Sequence, residues 1–195
     1  RAQGNADDDF PTGAPCIWRI PEQAPTPKYS DRLRGADCNP SAISVCCRYP
    51  AMLIEALQNP ALYDHPVERF EVVETHISWV LLTGPYAYKI KKPVDLGFLD
   101  FSTLEKRRFY CREELRLNRR LAPDLYVDVV VITGSARAPI LGGAGPVIDY
   151  AVKMKQFPGE AQLDRVLARG GLAAEHVDAL AREIAEFHGR AVIAG

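Results

Sequence analysis

Tyr86-Ala87-Tyr88-Lys89-Ile90-Lys91-Lys92-Pro93 is the stretch on which the fold turns. Thr83-Gly84-Pro85 ahead of it is a turn signal, and Pro93 ends it. Between these breakers, residues 87–92 predict a strand. Alternation then puts Lys89 and Lys91 on one face and Tyr88, Ile90 and Lys92 on the other.

Working outward, Phe70, Val72 and Glu74, then Ile77, Trp79 and Leu81, repeat with period two and predict two earlier strands. A break at Glu74-Thr75-His76 separates them. Downstream, Asp95 to Asp100 is a connection, and Ser102-Thr-Leu-Glu105 has the form of a capping box with Ser102 as N-cap. The helix it opens is expected to run to about Leu121, stopped by Ala122-Pro123. Leu104, Leu117 and Leu121 are its expected apolar stripe, with Glu114 beside it. A carboxylate there needs a cation or water. Val127–Ile132 and Val147–Met154 predict two more strands, joined by a Gly/Pro/Ala-rich, hairpin-like loop over 134–146.

Helices flank this core. Residues 52–58 are good helix formers stopped by Asn59-Pro60. Ala161–Ala168 predicts a short helix ended by Gly170-Gly171, and Ala174–Ala191 a longer amphipathic one carrying Val177, Leu180, Ile184 and Phe187. The class is α+β, with a five-stranded antiparallel sheet and one main helix.

Composition bounds the rest. A chain of 195 residues with 47% hydrophobic residues, 25% charged residues and a net charge of −1 is neither collagen-like nor mostly disordered. No apolar run approaches the roughly 20 residues of a membrane helix. The charge balance gives no reason to expect nucleic acid or an anionic membrane as partner. Residues 1–51 differ from the remainder: they hold seven of the 15 prolines and four of the five cysteines. They show no sustained period, no secretory pattern and no Cys-x2-Cys spacing. The expectation is a disordered leader or non-native sequence before Met52, then a sheet domain over 52–155 and helices over 156–195.

Lys89 carries the chemistry. Tyr86-Ala-Tyr-Lys89 has the form x-Ala-x-Lys on a third strand, matching the kinase Val-Ala-Ile-Lys motif at Ala and Lys. That motif holds an ammonium on a rigid strand, aimed at nucleotide phosphates, with a helix carboxylate to steady it. With Glu74-Thr-His-Ile-Ser-Trp79, Phe98-Leu-Asp-Phe-Ser102, Glu114-Leu-Arg-Leu-Asn-Arg-Arg-Leu-Ala-Pro123 and Tyr150-Ala-Val-Lys-Met-Lys-Gln-Phe157, the chain resembles the amino-terminal lobe of the aminoglycoside phosphotransferase-like branch of the protein-kinase-like fold. It is most similar to bacterial proteins that join such a domain to a P-loop ATP-binding domain. The likeness spans about Met52 to Ala194.

The resemblance implies that Lys89 contacts ATP phosphates and that Glu114, or Glu113 by a one-residue shift of phase, pairs with it. It implies that backbone groups from Met154 to Gln156 face adenine, and that residues 156–195 begin the helical second lobe. The reaction implied is transfer of the ATP γ-phosphate to a small-molecule hydroxyl, with Mg²⁺, in the cytoplasm. The turn near Glu74 to Ser78 lacks the glycines that often cover the phosphates; Thr75 or Ser78 would serve instead.

The family's His-Gly-Asp base is not matched. His188-Gly189-Arg190 ends in arginine, which cannot be a base, and sits where the helix before the catalytic loop belongs. The catalytic loop and metal ligands are expected beyond Gly195, so the chain alone is expected to be inactive. The alternative is a non-catalytic nucleotide-binding or regulatory module. Self-association through surface that a second lobe would cover is a further expectation. Gly142-Gly-Ala-Gly145 lacks P-loop spacing, and His65, His76 and His176 lack metal-ligand spacing.

Overall fold

The computed structural model describes residues 48–191, so the expectations for the leader lie almost wholly outside the described residues. The first element is helix α1, Arg48–Ala56. It starts four residues before Met52, and Pro50 lies in its first turn, buried. Proline is tolerated there because the first helical N–H groups have no intrahelical acceptor. The boundary drawn before Met52 therefore cuts a helix. A 3-10 turn follows at Pro60–Leu62, with Asn59 accepting the Ala61 N–H at its start.

Six strands follow, one more than expected: β1 Glu71–Glu74, β2 Ser78–Leu82, β3 Tyr86–Lys91, β4 Tyr126–Ser135, β5 Ala138–Leu141 and β6 Val147–Lys155. They form one antiparallel sheet in the order β1-β2-β3-β6-β4-β5. The extra strand β5 falls within the stretch expected to be loop. It is short, carries Pro139 and lies at the sheet edge, the place where proline is admitted. Gly134 makes the β4–β5 turn possible: its φ is +87°, and an added Cβ would lie 2.5 Å from the Ala138 carbonyl oxygen.

Helix α2, Leu104–Asn118, is the long helix between β3 and β4. Its N-cap is Thr103, whose Oγ1 accepts the Lys106 N–H, and not Ser102. Asp100 takes both the Ser102 N–H and its hydroxyl, so Ser102 closes the preceding turn instead. The expected leucine stripe holds only at Leu104, which packs against the core beneath the helix. Leu117 and Leu121 are exposed, while Arg107 and Cys111 are buried and Glu114 is half-buried. These three are spaced four and three apart, which is one helical face.

The sheet is covered on both sides. On one face Leu53, Ile54 and Leu57 of α1 pack with Trp79, Leu81, Tyr88, Ile90, Ile132 and Ala151. On the other, Cys111 of α2 packs with Tyr150 and Val152 of β6. A buried ion pair ties α2 to the sheet: Arg107 Nε donates to Asp149 Oδ1 at 2.9 Å. Two more helices follow among the described residues: the short α3, Leu163–Ala168, and the longer α4, Ala174–Arg190. On α4 Val177, Leu180 and Ile184 are exposed, and the Arg120 guanidinium lies 4.5 Å from the centre of the Phe187 ring. No helix among the described residues is long and apolar enough to cross a membrane.

Candidate functional site

Strand β3 lies between β2 and β6, so its side chains stand mid-sheet with packed neighbours on both sides. Lys89 is level with Val80 on β2 and Val152 on β6. Alternation puts Ala87 and Lys91 on its face, and this is the face that α2 covers. Lys89 Nζ donates to Glu114 Oε1 at 2.8 Å. Lys91 Nζ donates to the other oxygen, Oε2, at 2.6 Å. The structure therefore brings together Lys89, Lys91 and Glu114. Glu113, one residue earlier, instead meets Arg116 on the outer surface at 2.7 Å.

Exposure separates the two lysines. The Lys91 side chain is 5% exposed, that of Glu114 13% and that of Lys89 28%. Lys91 Nζ also lies 4.7 Å from the centre of the Phe101 ring, a cation–π contact. Burial by itself would push the Glu114 carboxyl up. The two ammonium groups outweigh it and hold the carboxyl below the ordinary glutamate range. Beneath them Cys111 is sealed from solvent, and burial pushes its thiol up to about 12. Burial raises the Tyr126 phenol as well.

The other expected site residues are placed differently. Ser78 is fully buried, and its Oγ has no hydrogen-bond partner among the described residues. Its backbone closes the β1–β2 turn with Thr75: the Thr75 N–H donates to the Ser78 carbonyl at 2.9 Å, and the Ser78 N–H to Thr75 Oγ1 at 3.0 Å. Neither hydroxyl is thereby turned outward as a glycine-free substitute for a phosphate loop. Met154 is level with Ala87 across the β3–β6 ladder and packs into the second core cluster. Gln156 fastens the β2–β3 turn: its N–H donates to the Pro85 carbonyl at 3.1 Å, and its Oε1 accepts the Gly84 N–H at 3.0 Å. The Lys155 N–H donates to Leu125. The N–H groups of residues 155 and 156 are thus already used within the chain.

A cavity of about 650 Å³ opens at this end of the sheet, lined among others by Arg69, Leu82, Gly84 and Gln156. Lys89 and Glu114 do not line it. Leu82 is level with Ala87, so an apolar row, Leu82–Ala87–Met154, lies beside the row that carries Lys89. Two residues along a strand separate the rows by about 7 Å. His188, Gly189 and Arg190 form the last turn of α4 and not a loop. Among the described residues no group of three or more His, Cys, Asp or Glu is placed to hold a metal ion.

Four further ion pairs among the described residues have no counterpart in the sequence reading, one of them between Lys106 and Asp100 at the start of α2. Arg107–Asp149 is buried; Lys92 meets Glu74 at 2.6 Å, and Lys153 meets Asp64 at 3.2 Å. The buried pair had a signal in the sequence: an aspartate inside the apolar strand Val147–Met154, and an arginine one turn before Cys111.

Comparison with known proteins gives relatives and no family. Uncharacterized proteins of Mycobacterium tuberculosis and Mycobacterium bovis are 38% identical over 130 residues, which is 65% of this chain and 24% of theirs. The chain thus spans about a quarter of the length of the curated relatives it matches. No protein-family model matches the chain, and no solved structure does.

Proposed function

We propose that this chain is the nucleotide-binding lobe of a kinase-like phosphotransferase, of the aminoglycoside phosphotransferase-like kind, that moves the ATP γ-phosphate to a small-molecule hydroxyl. One observation carries the reading. A partly exposed lysine on a central strand is gripped by a carboxylate on the one long helix of the same face. An ammonium fixed in this way is suited to a polyphosphate, because its position does not have to be bought by ordering a free side chain. In the apolar row Leu82–Ala87–Met154 beside it, the partly exposed Leu82 and Met154 are the side chains a flat base would meet. ATP would supply the phosphoryl group, with Lys89 as its phosphate contact. Mg²⁺ would arrive with the nucleotide, and no ligand set for it is found among the described residues. The acceptor hydroxyl is left open, since no residue here is assigned to hold it.

The test is calorimetric titration of the 195-residue chain with ATP. Lys89→Ala removes the one partly exposed ammonium of the site and should weaken binding at least tenfold, on the order of a lost charge-assisted contact. Unchanged affinity would refute the reading. A second reading, a nucleotide-binding module without catalysis, is favoured by one feature. The β1–β2 turn is closed by Thr75 and Ser78 on each other, leaving no glycine-rich cradle for phosphates. Phosphoryl transfer by the full-length parent, present or absent, separates the two.

A further inference from the structure

Glu114 receives two ammonium groups, and a steadying role toward Lys89 needs only one. The two lysines are two residues apart on β3, on one face, and each takes a different carboxylate oxygen. Lys91 is the buried one, enclosed between Glu114 and the Phe101 ring. Lys89 is the one with access to solvent.

We infer that Lys91 is a positioning residue for anion binding: it neutralises Glu114 from the buried side, so that Lys89 keeps its positive charge for a polyphosphate ligand. This inference rests on the nucleotide-binding reading above. The charge balance supports it. Two ammoniums face one carboxylate, which leaves one unit of positive charge in the cluster. The ionisable groups packed against it do not cancel that charge at neutral pH. Cys111 and Tyr126 are held in their uncharged forms by burial, and Asp149 is already taken by Arg107. Without Lys91 the carboxylate would have only Lys89 to satisfy it. The result would be a neutral pair, in which a ligand must compete with Glu114 for the ammonium. In a partly desolvated site that competition is strong.

The experiment titrates the 195-residue chain with inorganic triphosphate, and separately with adenosine, across four variants. Lys89→Met should abolish triphosphate binding, which tests the underlying reading. Lys91→Met should weaken triphosphate on the order of tenfold, as loss of one nearby charge implies, while adenosine binding stays within twofold. Adding Glu114→Gln to Lys91→Met restores the single positive charge and should recover most of the triphosphate affinity. A merely structural role for Lys91 would lower both ligands alike and would not be rescued by a second core substitution. Should Lys91→Met fail to fold, Lys91→Gln is read in its place, because it removes the charge and keeps a hydrogen-bond donor on a side chain one atom shorter. If Lys89→Met loses triphosphate and the Lys91 variants do not, the inference is overturned and the reading stands. If the wild-type chain binds no triphosphate, both fall.

Discussion

Removing Arg107 should show how much of the fold depends on one buried pair. The Arg107 guanidinium donates through Nε to Asp149 and through Nη1 to the carbonyls of Phe101 and Ser102. Asp149 has one further donor, the Tyr150 N–H at 2.9 Å. The two side chains are 9% and 6% exposed, so solvent cannot replace either partner. Arg107→Met therefore strands a carboxylate and two carbonyls at once. Breaking a buried pair from one side costs about 3 to 5 kcal/mol. Taking 3 kcal/mol and a urea dependence of about 2 kcal/mol per molar, the midpoint should fall by about 1.5 M.

The pH dependence has a definite sign. Burial raises the Asp149 carboxyl above its ordinary value even against Arg107. A carboxyl raised on folding makes the native state hold its proton longer than the unfolded chain. Its contribution is thus most favourable below the unfolded value of 3.8 and declines as pH rises through the folded value. Without the guanidinium the decline should steepen. Replacing both residues, Arg107→Met with Asp149→Leu, removes both charges and should cost less than the sum of the single changes by about 2 kcal/mol or more. Urea unfolding followed by far-ultraviolet circular dichroism measures all of this. Additive single effects, or an Arg107→Met chain within about 0.5 kcal/mol of wild type, would refute the argument.

Two further outcomes follow from other parts of the structure. The Glu114 carboxyl is lowered on folding, so its contribution is present above the ordinary value of 4.5 and is lost as pH falls through the folded value. Glu114→Gln should be less stable than wild type by about 2 kcal/mol at pH 7, and the gap should close on acidification; a gap constant from pH 7 to pH 3 would count against the two-lysine arrangement. Gly134→Ala meets both a positive φ and the Ala138 carbonyl oxygen, so it should cost about 2 to 3 kcal/mol. Amide exchange at Ala138–Leu141 should rise with it; unchanged protection there would mean that β5 does not depend on the turn.

Strands with strong alternation and the presence of the hydroxyl-capped helix α2 were legible, because each is written in a few consecutive residues. Trp79, Leu81, Tyr88 and Ile90 meet the core face as their spacing requires. What failed to show was set by competition between neighbours. Ser102 and Thr103 are both capable caps, and the choice falls to Thr103 because Asp100 captures Ser102 first. Strand β5 has four residues, one of them proline, and exists because β4 is long enough to turn and pair with it. The start of α1 was hidden by Pro50, which reads as a breaker anywhere except the first helical turn, where it sits.

The candidate site was legible through phase, and the error in the helix shows why phase matters. Of the leucines expected to form the buried stripe, Leu104 packs on the sheet side, while Leu117 and Leu121 are exposed and the rest of that face is Arg107, Cys111 and Glu114. A face with two charged residues and a cysteine has little hydrophobic contrast, so leucines alone do not fix the phase beyond the first turn. Glu114 is nevertheless legible, because a lysine held on the strand needs a carboxylate on the next helix. That criterion is chemical and survives a mistaken stripe. A one-to-one pairing, however, leaves the second oxygen of Glu114 out of account. Lys91 shares the face of Lys89 by strand alternation alone, and Glu114 has a second oxygen, so the two-to-one arrangement was already implied once the strand and the carboxylate were accepted. The same accounting applied to Asp149, a carboxylate in an apolar strand that must have a cation, leads to α2 and to Arg107, four residues from Cys111 on the face that Glu114 had already identified.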